Sequence, residues 1–237
     1  MADFLLIHGS CHGAWCWRDV IPALEALGHN VRAIDLPSHG ADKTPIKDVT
    51  LDLYRDTILD AIERPVHLVG HSMAGFPIAA AAEAVPSKIA RLIYLCAYAP
   101  FSGESVISMR KLQERQPLLD AIEISEDRLS WSPKPEHAKA AFYHDCSDEI
   151  VAFAAENIVP EANLPQLTRL EIGARYESVS KSYIRCTDDR TIPPEFQAEM
   201  AARLDPADRH EMQSSHSPFF ADPNGLAALL DKIARSR

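Results

Sequence analysis

Short apolar runs alternate with amphipathic helical patterns through the first hundred residues of the chain. Runs typical of β-strands span residues 4–8, 30–35, 66–69 and 91–96. Helical patterns lie between them, at residues 17–27, 51–62 and 73–85. Strands that alternate with helices of this length form βαβ units and a parallel sheet. The strand runs have no polar face, which indicates that both sides of the predicted sheet are covered.

The alternation stops near Pro100 and resumes near residue 180. The intervening segment shows helical stretches and loops but no convincing strand, and it is interrupted by Pro117, Pro133, Pro135, Pro160 and Pro165. We therefore predict a mostly helical cap insertion that lies over one edge of the sheet. Beyond it, the pattern predicts strands at 182–186 and 209–213 and helices at 194–204 and 225–234. We interpret residues 1–237 as one domain, with a core of 1–100 and 180–237 and an insertion of about 101–179.

The segments that follow the predicted strands carry the candidate chemistry. In an open parallel sheet, ligands bind beyond the carboxyl ends of the strands. The segments at these positions are HGSCHGAW (8–15), GHSMAG (70–75), CTDDRTIPP (186–194) and SSHSPFF (214–220). In chain order the last three supply Ser72, a carboxylate at Asp188 or Asp189, and His216. This is the order of the nucleophile, acid and base in α/β hydrolases, and the placement at separate strand ends makes it specific.

The segment around Ser72 departs slightly from the usual nucleophile elbow. That motif is Gly-x-Ser-x-Gly between a strand and a helix, but here Ala74 occupies the last position and Gly75 follows it. Small residues are needed because the turn brings the backbones of the strand and the helix close together. Alanine adds a single methyl group, so we interpret the motif as a working elbow. The alternative is that Ser72 is an ordinary helix N-cap.

Four motifs resemble the plant methylesterase and hydroxynitrile lyase family of α/β hydrolases, together with its bacterial esterase relatives. They are HGSCHGAWCW, AIDLPSHG, GHSMAG and CTDDRTIPPEFQ. The resemblance covers the core segments at both ends of the chain, whereas the insertion is much less recognisable. It implies an α/β-hydrolase fold, with a mostly parallel sheet of about six strands, helices on both faces and a helical cap.

The resemblance assigns a role to each candidate catalytic residue. Ser72 would attack a carbonyl carbon, and His216 would take its proton and pass it to the leaving group. Alignment on IPPEFQ places the carboxylate that orients His216 at Asp189, with Asp188 as the alternative. The oxyanion would accept hydrogen bonds from the backbone N–H groups of Ser10 and Met73.

Fewer residues can be assigned to the substrate pocket. The predicted lining residues are Gly9, His12, Trp131 and Phe142. A pocket for an ester is typically apolar with a few polar groups, which suits these residues. Packing of the insertion onto the sheet explains the aromatic residues equally well.

The predicted function is a serine hydrolase that cleaves small carboxylic esters, with methyl esters as one candidate class, through an acyl-enzyme intermediate. The first alternative is a hydroxynitrile lyase, in which the family pattern has a threonine after the first histidine and a lysine after the triad histidine. Here those positions hold Gly9 and Ser217, so both favour the esterase. The second alternative is a hydrolase-fold ligand receptor with little turnover, which the intact set of Ser72, Asp189 and His216 argues against.

Composition narrows the range of partners. The formal net charge of −10, from 34 acidic and 24 basic residues, argues against nucleic acid and against an anionic membrane surface. The five cysteines are scattered and odd in number, which does not suit a disulfide framework. Cys11, His12 and Cys16 lack the second cluster of a structural zinc site, so we predict neither a metal nor a cofactor.

Two further expectations concern the setting of the protein. No basic segment precedes the first apolar run and no apolar segment reaches the roughly 18 residues of a membrane span, so we expect a cytoplasmic protein. An insertion with exposed apolar residues could also mediate a homodimer.

Overall fold

The computed structural model describes residues 1–236. Its strands, in chain order, are β1 (Asp3–Ile7), β2 (Asn30–Ile34), β3 (Val66–His71), β4 (Ile89–Leu95), β5 (Ile122–Ile124), β6 (Ser130–Pro133), β7 (Glu161–Ala162), β8 (Lys181–Cys186) and β9 (Arg209–Met212). Six of them form one sheet in the order β2-β1-β3-β4-β8-β9, and every neighbouring pair is parallel. Each of these six lies within two residues, at both ends, of the strand predicted from the sequence.

Helices cover both faces of this sheet. In chain order they are α1 (Val20–Ala26), α2 (Leu51–Asp60), α3 (Gly75–Ala84), α4 (Val106–Leu112), α5 (Pro135–Phe142), α6 (Asp148–Asn157), α7 (Asn163–Leu167), α8 (Ala174–Glu177), α9 (Pro194–Ala201), α10 (Pro218–Ala221) and α11 (Pro223–Arg235). Short 3-10 helices span Ala14–Trp17, Ile46–Asp48, Ser72–Ala74, Pro86–Lys88, Pro117–Ala121 and Pro206–Asp208. Within residues 1–236, no helix has the length and apolar composition needed to cross a membrane.

The central strands are apolar throughout because each contributes to two separate cores. Leu68 and Leu92 pack with α2, α3, α8 and α9 on one face. Val69 and Ile93, their neighbours in sequence, pack with α1, α10 and α11 on the other. Successive side chains of a strand point to opposite faces, so burial of both faces requires an unbroken apolar run. The predicted α/β-hydrolase architecture, a parallel sheet with helices on both faces, is therefore confirmed.

The insertion is mostly helical, as predicted, but the expectation that it contains no strand was wrong. Besides α4 to α8 it contains an antiparallel sheet in the order β5-β6-β7. Its strands have three, four and two residues, and Pro133 lies in the middle one. Strands this short cannot show a period-two pattern in the sequence. They are recognised only by their pairing with one another, for example between Ile124 and Trp131.

The insertion also lies over the carboxyl ends of the strands, not along an edge of the sheet. It contacts the loops that follow three of the core strands. Val159 N–H donates to the Cys11 carbonyl oxygen beyond β1, and the Thr191 hydroxyl, beyond β8, donates to the Ala141 carbonyl oxygen. Beyond β9, the Ser215 hydroxyl bonds to the carbonyl oxygen of Phe142. The insertion therefore forms a cap on the face where parallel sheets bind ligands.

The turn between β3 and α3 depends on a close backbone approach at Gly75. A Cβ atom placed on Gly75 would lie 2.1 Å from the carbonyl oxygen of Tyr98. The same segments are joined by a hydrogen bond from Tyr98 N–H to the Ser72 carbonyl oxygen, at 3.1 Å. At Gly70 a Cβ would meet the Ala74 carbonyl oxygen at 3.0 Å. Glycine is therefore indispensable at Gly75, one residue beyond the last position of the usual motif. The methyl group of Ala74, which holds that last position, fits in the turn.

Replacement of Gly75 by alanine should therefore destabilise the fold. The added methyl would overlap a backbone atom, which cannot move as a flexible side chain can, so we expect Gly75→Ala to lower the free energy of unfolding by at least about 2 kcal/mol in urea denaturation. The matched control is Gly173→Ala, where the new Cβ would make only an ordinary contact of 3.7 Å with Glu83. Equal stability of the two variants would contradict the steric argument.

Candidate active site

Ser72 occupies a strained position at the end of β3. Its φ angle is 55°, in the left-handed region that residues with a side chain rarely adopt. It begins a 3-10 turn rather than capping α3, whose N-cap is Ala74. An N-cap serine has extended φ and ψ angles and accepts a hydrogen bond from the helix, and Ser72 does neither. The N-cap interpretation of Ser72 is therefore ruled out.

A continuous chain of hydrogen bonds links Ser72, His216 and Asp189. The distance from Ser72 Oγ to His216 Nε2 is 2.9 Å, and that from His216 Nδ1 to Asp189 Oδ2 is 2.7 Å. His216 follows β9 and Asp189 follows β8, so three strand ends supply the three side chains. The tautomer with its proton on Nδ1 satisfies both bonds, because it leaves Nε2 free to accept from the serine hydroxyl. All three residues are buried.

Asp189 rather than Asp188 faces the histidine. Asp189 Oδ1 accepts hydrogen bonds from the backbone N–H groups of Thr191 and Ile192, at 2.7 and 3.0 Å. Its Oδ2 also accepts from Gln197 Nε2 at 2.8 Å. These donors hold the carboxylate in one orientation. The side chain of Asp188, in contrast, is exposed. The aspartate that lies against His216 is therefore Asp189, the one that the family resemblance selected.

Two backbone N–H groups near Ser72 are candidates for the oxyanion hole. Ser10 and Met73 both line the pocket that contains Ser72. Within residues 1–236, neither backbone N–H group donates a hydrogen bond to the protein. The hydroxyl of Ser10 is held by Gln166 Nε2 at 2.8 Å, which connects the loop after β1 to α7 of the cap. Sequence reasoning did not identify Gln166, because its partner lies 156 residues away.

Three histidines around the site are kept neutral. Burial lowers the pKa of His12 to about 4, and it lowers the pKa values of His8 and His71 well below their ordinary value. His71 Nε2–H donates to the carbonyl oxygen of His216 at 2.8 Å, and the Tyr143 hydroxyl donates to His12 Nε2 at 2.7 Å. These rings therefore position neighbouring groups and add no positive charge next to His216 at neutral pH.

Gly9 leaves room for His71. A Cβ atom on Gly9 would lie 2.6 Å from His71 Nδ1 and 2.9 Å from the Cβ of Ser72. Gly9 therefore lies beneath the site and is absent from the residues that line the pocket. The other predicted lining residues, His12, Trp131 and Phe142, all contact the pocket.

The pocket beside Ser72 is narrow and mostly apolar. Its cavity volume is only about 20 Å³. The lining residues that sequence reasoning did not identify are Tyr98, Val106, Arg110, Leu118, Gln166 and Thr191. Most of them belong to the cap, whose sequence pattern is weak. A chamber of this size holds little more than one water molecule, so cap side chains must move before an acyl or alcohol group can occupy it.

Glu161 joins the cap to the loop that carries Ser10. It is fully buried in β7, where Oε2 accepts a hydrogen bond from Cys11 N–H at 3.3 Å and Oε1 accepts one from the Tyr54 hydroxyl at 3.1 Å. His39 Nε2 lies 3.2 Å from Oε2. Burial lowers the pKa of His39, but Glu161, the Pro37 carbonyl oxygen and Asp35 together raise it, and the net direction is upward. The result is a buried ion pair behind the site.

The cysteines form no framework. All five are free, and Cys11, Cys16, Cys96 and Cys186 are buried. Cys11, His12 and Cys16 do not converge into a ligand cluster. Within residues 1–236, the one group of three candidate metal ligands lying within 4.8 Å of each other is His71, Cys96 and His216. His216 already bonds Ser72 and Asp189 with its two ring nitrogens.

Comparison with known proteins shows the family of the chain. A family model described as the alpha/beta hydrolase family matches residues 4–229. This chain belongs to the α/β-hydrolase family. It is 31% identical to salicylic acid-binding protein 2 of Nicotiana tabacum, in an alignment that covers 98% of this chain and 96% of that protein. It is 32% identical to methylesterase 3 of Arabidopsis thaliana, in an alignment that covers 97% of this chain and 95% of that protein.

Solved structures give the same result. The crystal structure of a pyrethroid hydrolase from Sphingobium faniae JZ-2 superimposes with a TM-score of 0.86 at 26% identity, over 99% of this α/β hydrolase and 98% of that chain. The family that the four sequence motifs predicted, that of the plant methylesterases, is therefore confirmed.

The ion pair of Glu161 and His39 should make stability depend on pH. Because the folded-state pKa of His39 is raised, its contribution to the free energy of unfolding is complete below the ordinary pKa of 6.5 and is lost as the pH rises through the folded-state pKa. We expect Glu161→Gln to destabilise the protein by about 2 kcal/mol near pH 6 and by less near pH 8.5 in urea denaturation. Glu123→Gln, an exposed change in the same small sheet, is the control. A difference between Glu161→Gln and wild type that stays constant with pH would contradict the ion pair.

Proposed function

We propose that this α/β hydrolase is a serine esterase that cleaves small carboxylic esters through an acyl-enzyme intermediate. The observation that carries the proposal is the unbroken chain from Asp189 through His216 to a strained Ser72 beside a closed pocket. The curated relatives named methylesterases support ester hydrolysis, and they favour methyl esters among the substrates.

In the acylation step, Ser72 Oγ attacks the ester carbonyl carbon while its proton passes to His216 Nε2. Asp189 stabilises the imidazolium that forms. The N–H groups of Thr191, Ile192 and Gln197 that donate to Asp189 prevent its carboxylate from rotating away from His216. The backbone N–H groups of Ser10 and Met73 stabilise the negative charge on the carbonyl oxygen. His216 then gives its proton to the departing alcohol oxygen, and the acyl group stays on Ser72.

Deacylation repeats these steps with water as the nucleophile. His216 takes a proton from the water, the hydroxyl attacks the acyl carbon, and the proton returns to Ser72 Oγ as the acid is released. The neutral state of His12 and His71 matters in both steps, because a charged ring at either position would oppose formation of the His216 imidazolium.

The two alternative functions are not favoured. A threonine at position 9, as in the lyase pattern, would have to place its Cβ within 3 Å of His71 and Ser72. At position 217 the lyase lysine is replaced by a buried serine without charge. Against the receptor alternative, the three proposed catalytic side chains stand at hydrogen-bonding distance.

Three other features stay predictions of the sequence. They are a cytoplasmic location, assembly as a homodimer, and the division into a core of 1–100 and 180–237 with a cap of about 101–179. The contacts of the cap with the loops after β1, β8 and β9 support its treatment as part of a single domain.

Replacement of Ser72 tests the nucleophile. We expect Ser72→Ala to lower kcat for p-nitrophenyl acetate by a factor on the order of 10⁴ to 10⁶, because the acyl-enzyme can no longer form. An unchanged thermal unfolding midpoint would establish that the variant is folded. Cyanide release from mandelonitrile is measured in parallel on the wild type. Ester hydrolysis by Ser72→Ala at the wild-type rate would contradict the proposed nucleophile. Cyanide release by the wild type as fast as its ester hydrolysis would contradict the proposed esterase function.

Replacement of the two adjacent aspartates tests the acid. We expect Asp189→Asn to lower kcat by roughly 10³- to 10⁴-fold, since an amide cannot stabilise the imidazolium or fix its tautomer. Asp188→Asn, the matched control one residue away, should keep wild-type activity because that side chain is exposed. The reverse pattern would move the role to Asp188.

A further inference from the structure

The wall of the pocket carries an unpaired cation. Arg110, on α4 of the cap, lines the pocket that holds Ser72. Within residues 1–236, its side chain forms neither an ion pair nor a hydrogen bond, and its Nε is buried without a partner. Two other arginines of the cap have partners, since Arg115 binds both carboxylate oxygens of Glu195 and Arg169 donates to the carbonyl oxygen of Gly103. Arg128 and Arg175 are exposed, so water can bind their side chains. Arg110 as a whole is half-buried, and its buried Nε–H needs an acceptor that a ligand in the pocket can supply.

A second unsatisfied donor lies in the same wall. Trp131 is 4% exposed, and its Nε1–H is buried without a hydrogen-bond partner. The Nε1–H groups of Trp15 and Trp17 are also without partners, but those two residues do not line this pocket, whereas Trp131 does. An indole N–H only donates, so it can be satisfied only by an acceptor. Tyr98 completes the polar part of the wall: burial raises the pKa of its phenol, which therefore keeps its proton. Its oxygen accepts from Gln113 Nε2 at 3.0 Å, so its own O–H is available to donate.

The lining offers no charged acceptor to these donors. None of the residues that line the pocket is an aspartate or a glutamate. Val106, which precedes Arg110 by about one turn on α4, is apolar, and so is Leu118 in the same lining. The molecule as a whole carries a formal net charge of −10, so its overall field repels anions and cannot supply such attraction. Recognition of an anion therefore depends on this local group.

We propose that the natural substrate is an anionic ester, which carries a free carboxylate besides the ester group, and that Arg110 binds this carboxylate with Trp131 Nε1–H as a second donor. The inference rests on the proposed esterase function and adds the class of substrate. Arg110 is then a specificity residue: it binds substrate without taking part in the proton transfers at Ser72. Half-esters of short dicarboxylic acids are the simplest molecules of this kind.

The experiment compares charged esters with neutral esters of nearly equal shape. Monomethyl malonate, succinate, glutarate and adipate place the charge on the acyl half, and their carboxamide counterparts remove it. Acetoxyacetate and acetoxyacetamide form the same pair with the charge on the alcohol half. We expect wild-type kcat/KM to favour the charged member of at least one pair by about tenfold or more. The preferred chain length then gives the reach from Ser72 to Arg110.

Variants assign this preference to Arg110. Arg110→Gln should lower kcat/KM for the charged ester about tenfold or more, mainly through KM, and change the neutral counterpart less than about threefold. Arg110→Lys should restore part of the preference, and Trp131→Phe should reduce it while keeping the ring. Arg115→Gln, an exposed arginine of the cap, should leave it unchanged.

The outcomes separate this inference from the proposed function. If Ser72 hydrolyses neutral esters and neither series shows a preference for the charged ester, the proposed role of Arg110 is wrong. The proposed esterase function would not be affected by that result. An equal loss for charged and neutral esters in Arg110→Gln would overturn it as well, because it would mark a structural residue. Failure to hydrolyse any ester, charged or neutral, would instead remove the proposed function itself.

Discussion

The site depends on a backbone contact that leaves no room for a side chain, between Gly75 and the carbonyl group of Tyr98. This contact presses the start of α3 against the segment that leaves β4, while the Tyr98 N–H binds the carbonyl oxygen of Ser72 from the other side. Between these two restraints Ser72 is held at a φ of 55°, which an unrestrained serine would abandon. In this conformation the Ser72 hydroxyl lies within hydrogen-bonding distance of His216, so packing in the core sets the geometry of the proposed nucleophile.

A second constraint comes from the cap. Glu161 and Gln166 both reach from the cap to the loop after β1, one to the backbone of Cys11 and the other to the hydroxyl of Ser10. The backbone donor of Ser10 therefore has its position fixed by residues about 150 positions away in sequence. The carboxylate of Asp189 is likewise fixed from both sides, by the turn that follows it and by Gln197 on α9. Cap and core together complete the active site.

The parts of the molecule that could be predicted from sequence share a physical cause. The six strands of the main sheet are buried on both faces, which produces unbroken apolar runs, and Ser72 and His216 stand directly beyond two of them. The choice of Asp189 over Asp188 needed the family resemblance, because strand ends are uncertain by a residue or two. The strands of the cap are too short to show the alternation of apolar and polar residues that predicts a strand. The sequence around Glu161 and Arg110 does not indicate a role for either residue, because the residues that surround each of them in the fold are distant in the chain.

The narrowness of the pocket has a kinetic consequence. A space of about 20 Å³ open to the centre of a water molecule holds little more than one such molecule, so an ester can enter only when the cap side chains have moved apart. Substrate then binds to a minor, open population, and the apparent Michaelis constant rises by the reciprocal of that population. Substitutions that loosen the cap would accelerate entry and exit while admitting water to the acyl-enzyme. The balance between these effects would be set by the cap, at a distance from the atoms that react.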